Sequence, residues 1–543
     1  MDYQNNPYGS AQFASPLDCQ QAGLHNQQGL YIGHDASGRA CFSDQMSGLL
    51  LCGGARSYKG SFITPWLVDG HYTDHVINMD WKGQNGSISA LQVLQNRRVI
   101  NYNPRGKTSH INVLSDIRRN SPTLVPDAKL KAQSIIPLTG VGNSDFFQGN
   151  AQRMTEAVTV ELARFYDEVT LPLLADHMGV LGSSHEQWLS FEFEMLNSPH
   201  PSSRQVAVEL QEMRKSSNPN AGGFQGIKGE IDKAFACMSD PQLRASLSPP
   251  FDFCFSELVK PDAPAYVVNI MEAMEFAKSS GLVIRMLYTS AMMYKRRHLG
   301  SRRQVWIFDE IGNIGHWPLA VDLATYGAGF GVKPVYVTQS YQQLDNLAPK
   351  ASSIIANSCG TEINIGVRSN QEADRIAKMC GTTTLALPDT ITNERVRLEN
   401  EQAAQSAIAG QVNAFEAGVM IAQNERLLKH KKKIARQLRT ADEVRNTDEH
   451  TAYVFMPGVL SGALETRFLP YWMRPDLAGR FLGDPYHSPQ GKVEIRGRWG
   501  QVFQDIITET APPEIADWPQ YRDTGQWSYV KGYRPQLSQK RKR

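Results

Sequence analysis

A chain of 543 residues is too long for one hydrophobic core, so two or more domains are expected. Hydrophobic residues make up 41% and charged residues 20%, which excludes a disordered or fibrous chain; 56 basic against 54 acidic residues leave a net charge of +2, so nucleic-acid contact has to come from local patches. The seven cysteines, odd in number and without a Cys-x-x-Cys pair, argue against a disulfide framework and a zinc site and fit a reduced cytoplasm, and with no apolar run of about 18 residues and no leader pattern the chain reads as soluble.

In chain order, the first run that reads as a buried strand is Gly48 to Cys52. It leads into a glycine-bearing loop, Gly53-Gly54-Ala55-Arg56-Ser57-Tyr58-Lys59-Gly60-Ser61, with a helix predicted beyond. Short apolar runs follow at Val76-Ile77-Asn78-Met79 and Val99-Ile100-Asn101-Tyr102, and strands spaced by helical lengths predict parallel βαβ units. From about Gln148 to Pro250 the pattern turns helical, through Val158, Leu162 and Phe165, with a polar break at Ser216 to Asn220, and an inserted all-α domain is expected there. Strand-like runs resume at Ala265 to Val268, Val305 to Phe308, Val335 to Val337 and Ile363 to Ile365. Between Pro388 and Thr447 a charge-rich stretch containing Lys429-His430-Lys431-Lys432-Lys433 reads as a helix with a solvated face or a loop. The part beyond Arg480, rich in Pro, Gly, Trp and Tyr, reads as an irregular extension ending in the basic tail Lys540 to Arg543. The expected division is residues 1–147 and 256–479 for an α/β nucleotide-binding domain, 148–255 for the inserted helices and 480–543 for the extension.

Three features carry candidate chemistry. A phosphate loop works because backbone N–H groups of a glycine-rich turn surround the β-phosphate while a lysine reaches the β and γ oxygens, and Gly53 to Lys59 has that spacing. The match is partial, because Tyr58 stands at the second glycine position and Gly60 stands where Ser or Thr usually ligates Mg²⁺. The strand Val305 to Phe308 ends in Asp309-Glu310, a pattern that sets one carboxylate to hold Mg²⁺ and the next to act as base at the carboxyl edge of a parallel sheet. Taken alone, an acidic strand end is equally common on ordinary surfaces. A third strand ends in Gln339-Ser340, where an amide is placed to sense a γ-phosphate or orient water.

The same segments, with others, carry a family resemblance. They include Gly9 to Ala14, Ala55 to Gly60, Thr64-Pro65-Trp66-Leu67, Asp80-Trp81-Lys82-Gly83, Tyr102-Asn103-Pro104, Phe308 to Gly312, Tyr326 to Gly331, Val337 to Ser340, Ile355 to Cys359 and Met379 to Thr384. Together they resemble the TraG/TraD-like coupling proteins of type IV secretion and conjugation. The resemblance implies a RecA-like ATPase domain interrupted by an all-α domain that receives substrate, assembled as a ring of six with ATP and Mg²⁺ at subunit interfaces. It further implies DNA, a relaxase-like protein or an effector as cargo, and secretion-channel components as partners. Family members carry membrane helices before the Gly-Ser-Ala-like segment; eight residues precede Gly9 here, which implies a cytoplasmic chain at the inner membrane face whose tether is borrowed or missing.

Two departures bear on catalysis. Tyr58 replaces a family glycine, and Ala328 stands where the family has an arginine, for which Arg368 is a candidate replacement. An arginine finger supplies about 10³ to 10⁵ in rate in other phosphoryl-transfer enzymes, so ATP binding with slow hydrolysis is expected, with a recruitment platform that turns over little ATP as the alternative. The basic clusters Lys295-Arg296-Arg297 and Lys540 to Arg543 are candidates for phosphate contacts, although solvated helix ends and tails are the simpler reading of both. His316-Trp317 reads as a packed loop, and Trp499 and Trp518 as possible marks of a docking surface.

Overall fold

Apolar runs that face other elements on both sides become the centre of a parallel sheet, because crossover helices cover both of its faces. In the computed structural model, which describes residues 6–90, 97–106, 109–140, 142–215, 223–277, 279–387, 390–429, 432–497, 500–522 and 524–535, this is what the central runs do. The strands in chain order are β1 (Leu30–His34), β2 (Ala40–Ser43), β3 (Leu49–Gly53), β4 (His75–Asp80), β5 (Arg97–Tyr102), β6 (Ala265–Met271), β7 (Gln304–Asp309), β8 (Val332–Thr338), β9 (Thr361–Ile365), β10 (Thr382–Leu387), β11 (Lys432–Gln437), β12 (Thr451–Phe455), β13 (Leu464–Arg467), β14 (Lys492–Gly497), β15 (Gly500–Thr510) and β16 (Gln526–Val530).

Eleven of them form one sheet in the order β2-β1-β13-β12-β9-β3-β8-β7-β4-β6-β5. From β9 to β5 every pairing is parallel, with Leu51 opposite Val337 and Ile363, and Ile307 opposite Val335. Antiparallel β12, β13, β1 and β2 extend the β9 side. The strands predicted around the loop, the acidic pair and the glutamine thus lie side by side as β3, β7 and β8.

Alternation along these strands divides the interior in two. Leu50, Ile77, Met79, Val268, Trp306, Phe308 and Tyr336 face one core, and Leu49, Leu51, Val76, Val267, Ile307, Val335 and Ile363 face the other. The first core runs on without a break into the helices between β5 and β6, reaching Met154, Trp188 and Leu210. Those helices run from Leu124 to Ser246, the longest being Gly142–Phe165, and the break at 216–220 lies outside the described residues. The second core packs under helix α1 (Gly60–Val68), through Phe62 and Trp66.

Two expectations change, and one left open between helix and loop resolves to helix. Within the stretch expected to be irregular, β14, β15 and β16 form an antiparallel sheet in that order, with Val493, Ile495, Trp527 and Val530 turned into the second core. One-faced strands such as Lys492–Gly497 bury only alternate residues, so they lack the continuous apolar run that announces a central strand. The charge-rich stretch is a pair of helices, Thr390–Ile408 and Ala414–Lys429, inserted between β10 and β11, which pair antiparallel; of its basic run, His430 and Lys431 lie outside the described residues. Lys295, read as a solvated helix end or phosphate contact, is fully buried and donates to the carbonyl and hydroxyl of Ser301, while Arg297 pairs with Asp127. Of this cluster, Arg296 and Arg297 remain at the surface. Trp317 packs against Tyr288 and Phe308 in the first core, as a packed loop requires. Trp499 and the tail at 540–543 lie outside the described residues.

Candidate nucleotide site

Parallel strands deliver their carboxyl ends, and whatever polar residues follow them, to one edge of the sheet. Here β3 ends in the glycine-bearing loop, β7 in Asp309-Glu310, β8 in Gln339 and β4 in Asp80, and all four border a cleft of about 660 Å³. Ala55 to Ser61 form one wall of that cleft, and Gly53 and Gly54 lie at the loop's entry, facing a neighbouring cleft of about 550 Å³.

The loop is wound tightly. Arg56 and Tyr58 both take left-handed backbone angles, with φ of 59° and 63°. A left-handed non-glycine residue costs about 1–2 kcal/mol, so Tyr58 keeps the conformation that a glycine would adopt freely. Its ring lies 5.1 Å from that of His450, centroid to centroid, and packs on the second core, which offsets part of the strain. Ser57 is buried and donates its hydroxyl to the Gly54 carbonyl over 2.7 Å. Gly366, after β9, has φ of 53°, and a Cβ there would fall 2.5 Å from Ser57 Cβ, so the loop rests directly on this glycine.

Lys59 curls back over the loop, donating to the carbonyls of Gly53 at 2.9 Å and Gly54 at 3.4 Å, and its Nζ lies 3.3 Å from Glu310 Oε1. Glu310 itself sits at φ 47° and ψ 40°, an outlier immediately after the strand. The same Oε1 accepts a hydrogen bond from Gln339 Nε2 at 3.0 Å. Gln343 secures this end of β8, its Oε1 accepting from the Gln339 backbone N–H and from the Thr338 hydroxyl.

Asp309 keeps a partial opening to the cleft, but its Oδ1 is enclosed without a hydrogen-bond partner among the described residues. Loss of water, followed by the neighbouring Glu310 charge, pushes its carboxyl up to about 7. Asp80 is buried beside it and pushed up to about 6 by the same loss of water, although the Gly86 N–H at 2.8 Å opposes that shift. Trp81 ties the two strand ends together by donating its indole N–H to the Asp309 carbonyl at 2.7 Å. Ser61, the second residue of α1, has a buried hydroxyl that also lacks a partner among the described residues.

Lys59, Asp309, Glu310 and Gln339 are therefore gathered at one edge, as their strand ends predict. Asp80, Trp81, Gln343 and Gly366 were not singled out as site residues. For Asp80 the signal was present, since it too is a polar residue closing a buried strand. Ala328 lies in the short turn before β8, and Arg368 borders the neighbouring cleft that also reaches Gly54 and Gln339.

Over residues 13–411 the sequence matches the model of the family described as Type IV secretory system Conjugative DNA transfer. The chain belongs to that family. Membership places it among the conjugative coupling proteins that the segments from Gly9 to Thr384 resemble. A search of curated proteins found no match. Among solved structures, the bacterial conjugative coupling protein TrwBdeltaN70 with sulphate is similar at a TM-score of 0.56 and 14% identity, over 84% of this chain and 93% of that one. TrwB in complex with ADP and Mg²⁺ gives 0.57 and 13%, over 85% and 94%, and TrwB with the ATP analogue ADPNP gives 0.56 and 13%, over 85% and 93%. At such identities the likeness shows the fold, a mainly parallel RecA-like sheet carrying helices. Like the sequence, the structure offers this family member no helix among its described residues that is long and apolar enough to cross a membrane.

Proposed function

We propose that this conjugative coupling protein binds ATP with Mg²⁺ in the cleft at the ends of β3, β4, β7 and β8, and uses slow hydrolysis to drive DNA or a protein substrate into a type IV secretion channel. One observation carries the reading: a single carboxylate oxygen of Glu310 lies within reach of both Lys59 and Gln339. The loop lysine, the acidic strand end and the amide strand end thereby meet in one place.

The residues fit a nucleotide and its metal. Asp309 Oδ1 and Ser61 Oγ are enclosed polar atoms with no protein partner among the described residues, which suits oxygen ligands for a hard cation. Bound Mg²⁺ would supply charge neutralisation at the phosphates. Lys59 would exchange its contact with Glu310 for phosphate oxygens, the loop N–H groups would surround the β-phosphate, Glu310 would take a proton from the attacking water, and Gln339 would orient that water. The solved TrwB complexes with ADP and Mg²⁺ and with ADPNP lend the same assignment support by fold.

The domain division 1–147 with 256–479, 148–255 and 480–543 belongs to this proposal, with the helices between β5 and β6 as the substrate-receiving part. So do a ring of six and attachment to the inner membrane face through channel partners. A second reading, a recruitment platform with little turnover, is favoured by Tyr58 at φ 63° and by Ala328. Nucleotide binding and hydrolysis measured with and without DNA, for the native chain, Tyr58→Gly and Tyr58→Gly/Ala328→Arg, separate the two. The motor reading expects binding in all three and turnover rising stepwise. Native turnover equal to that of the double variant removes the case for attenuation, and failure of the native chain to bind nucleotide overturns the assignment of the cleft.

A further inference from the structure

A second cluster of ligand-type side chains lies at the opposite side of the sheet from β5, beneath the β1–β2 edge. Cys19, on the buried face of the short helix Pro16–Gln21, Asp35, in the turn after β1, and Cys41, on β2, bring Sγ, a carboxylate oxygen and Sγ within 4.8 Å of one another. Both cysteines are free and fully buried, and Asp35 is 4% exposed.

We propose that Cys19, Asp35 and Cys41 bind one thiophilic divalent cation of the Zn²⁺ class, with His25 positioning the carboxylate. In a tetrahedral zinc site, Zn–S of about 2.3 Å and Zn–O of about 2.0–2.2 Å hold the ligand atoms somewhat under 4 Å apart, so these three atoms need only a small contraction to take three of its four corners. Asp35 Oδ1 is already saturated, accepting from the Ser37 N–H at 2.9 Å, the Ser37 hydroxyl at 2.6 Å and the Arg39 N–H at 3.1 Å. Among the described residues Oδ2 has only His25 Nε2, at 3.0 Å, and keeps lone-pair capacity for a metal. Ligating carboxylates in metal sites are themselves held by outer hydrogen bonds, and His25 would orient Asp35 in that way. Two thiolates and a carboxylate would put three negative charges into a buried space, and a divalent cation offsets two of them. No short Cys-x-x-Cys spacing announces the site, because its ligands come from a helix, a turn and a strand. Binding would clamp the amino-terminal helix to the antiparallel edge of the sheet, a structural role separate from the nucleotide cleft.

The test uses the full chain, purified reduced. Zinc measured by mass spectrometry should approach one equivalent. After chelation, Co²⁺ titrated into the reduced chain should produce thiolate-to-cobalt charge-transfer bands saturating at one equivalent. Cys41→Ser should weaken Co²⁺ binding at least tenfold, whereas Cys237→Ser, remote from the cluster, should leave it unchanged. Should Cys41→Ser fail to fold, the titration of the native chain decides alone. No charge-transfer band in the reduced native chain overturns the proposal. So does a Cys19–Cys41 disulfide found by peptide mapping of freshly isolated, alkylated protein, because it would assign the sulfurs to each other.

Discussion

Gln339 Nε2 donates to Glu310 Oε1 over 3.0 Å, and Lys59 Nζ approaches that same oxygen to 3.3 Å. A shared acceptor means that the lysine's release toward phosphate and the amide's hold on the carboxylate are coupled. Glu310→Gln should therefore leave nucleotide affinity within a few fold of native while lowering turnover by about 10²–10⁴, the usual range for a lost general base. Lys59→Ala should weaken nucleotide affinity itself by tenfold or more. Calorimetric titration with ADPNP and a steady-state phosphate-release assay read the two quantities. Unchanged turnover in Glu310→Gln would remove its role as base.

Gly366 is the support on which the loop rests. Alanine there combines a left-handed φ of 53° with a Cβ 2.5 Å from Ser57 Cβ and 3.4 Å from Ser57 Cα. The backbone conformation alone costs about 1–2 kcal/mol, and the clash pushes on the residue whose hydroxyl closes the loop onto Gly54. Gly366→Ala should lower both melting temperature and nucleotide affinity. Gly149→Ala, in the helix Gly142–Phe165 with nothing within 4 Å of the new Cβ, should instead stabilise by about 0.5–1 kcal/mol without touching affinity. Equal affinity in Gly366→Ala and native would show that the loop tolerates displacement of Ser57.

What the sequence disclosed follows from how each element is buried. Strands such as Leu49–Gly53 and Val332–Thr338 are covered on both faces and read as unbroken apolar runs, so their place in one parallel sheet was legible, and with it the shared edge of Lys59, Asp309 and Gln339, though not the strand order. The β14–β16 sheet buries one face only and escaped, its alternation diluted by Pro and Gly. Gly366 escaped for another reason: its importance lies in touching Ser57, 309 positions away in sequence but adjacent across the β3–β9 pairing, as Gly53 opposite Ile365 shows. Lys295 looked like a surface cation because periodicity cannot reveal that its amine turns back to Ser301.

A buried charge bolts the helix Leu124–Ile135 to the helix that follows β6. Lys131, in the helix Leu124–Ile135, lies 2.8 Å from Asp116 Oδ1 and donates to the Val113 carbonyl and to Ser290 Oγ, with both charged side chains fully buried. Ser290 belongs to the helix Gly281–Arg297 that follows β6, so the contact joins the two segments that flank residues 148–255. Removing one partner of such a pair costs about 3–5 kcal/mol because the other charge is left buried. Lys131→Met should lower the denaturant midpoint strongly, and Lys131→Met/Asp116→Leu should recover most of the loss. A small effect of the single change would mean that water reaches Asp116.

The pH dependence of the site follows from Asp309. Its carboxyl is pushed up to about 7, first by loss of water and then by Glu310, with Lys59 opposing. A carboxyl whose folded pKa is raised contributes stability in full below its unfolded value near 4, and loses that contribution as pH rises through about 7; Asp80, pushed up to about 6, acts in the same direction. The ligand-free chain should therefore melt at a higher temperature near pH 5 than this pair alone would allow at pH 8. Cation binding runs the opposite way, since only the ionised carboxylate holds a metal: Mg²⁺-dependent nucleotide affinity should fall between pH 8 and pH 6, approaching tenfold per unit below 7. Asp309→Asn tests both halves. It should raise the melting temperature at pH 8 by several degrees while changing it little at pH 5, and it should make the Mg²⁺-dependent affinity low and nearly flat across the range. A native affinity that stays constant from pH 8 to pH 6 would show that the metal is held elsewhere, and Asp80 would then be the carboxylate to change next.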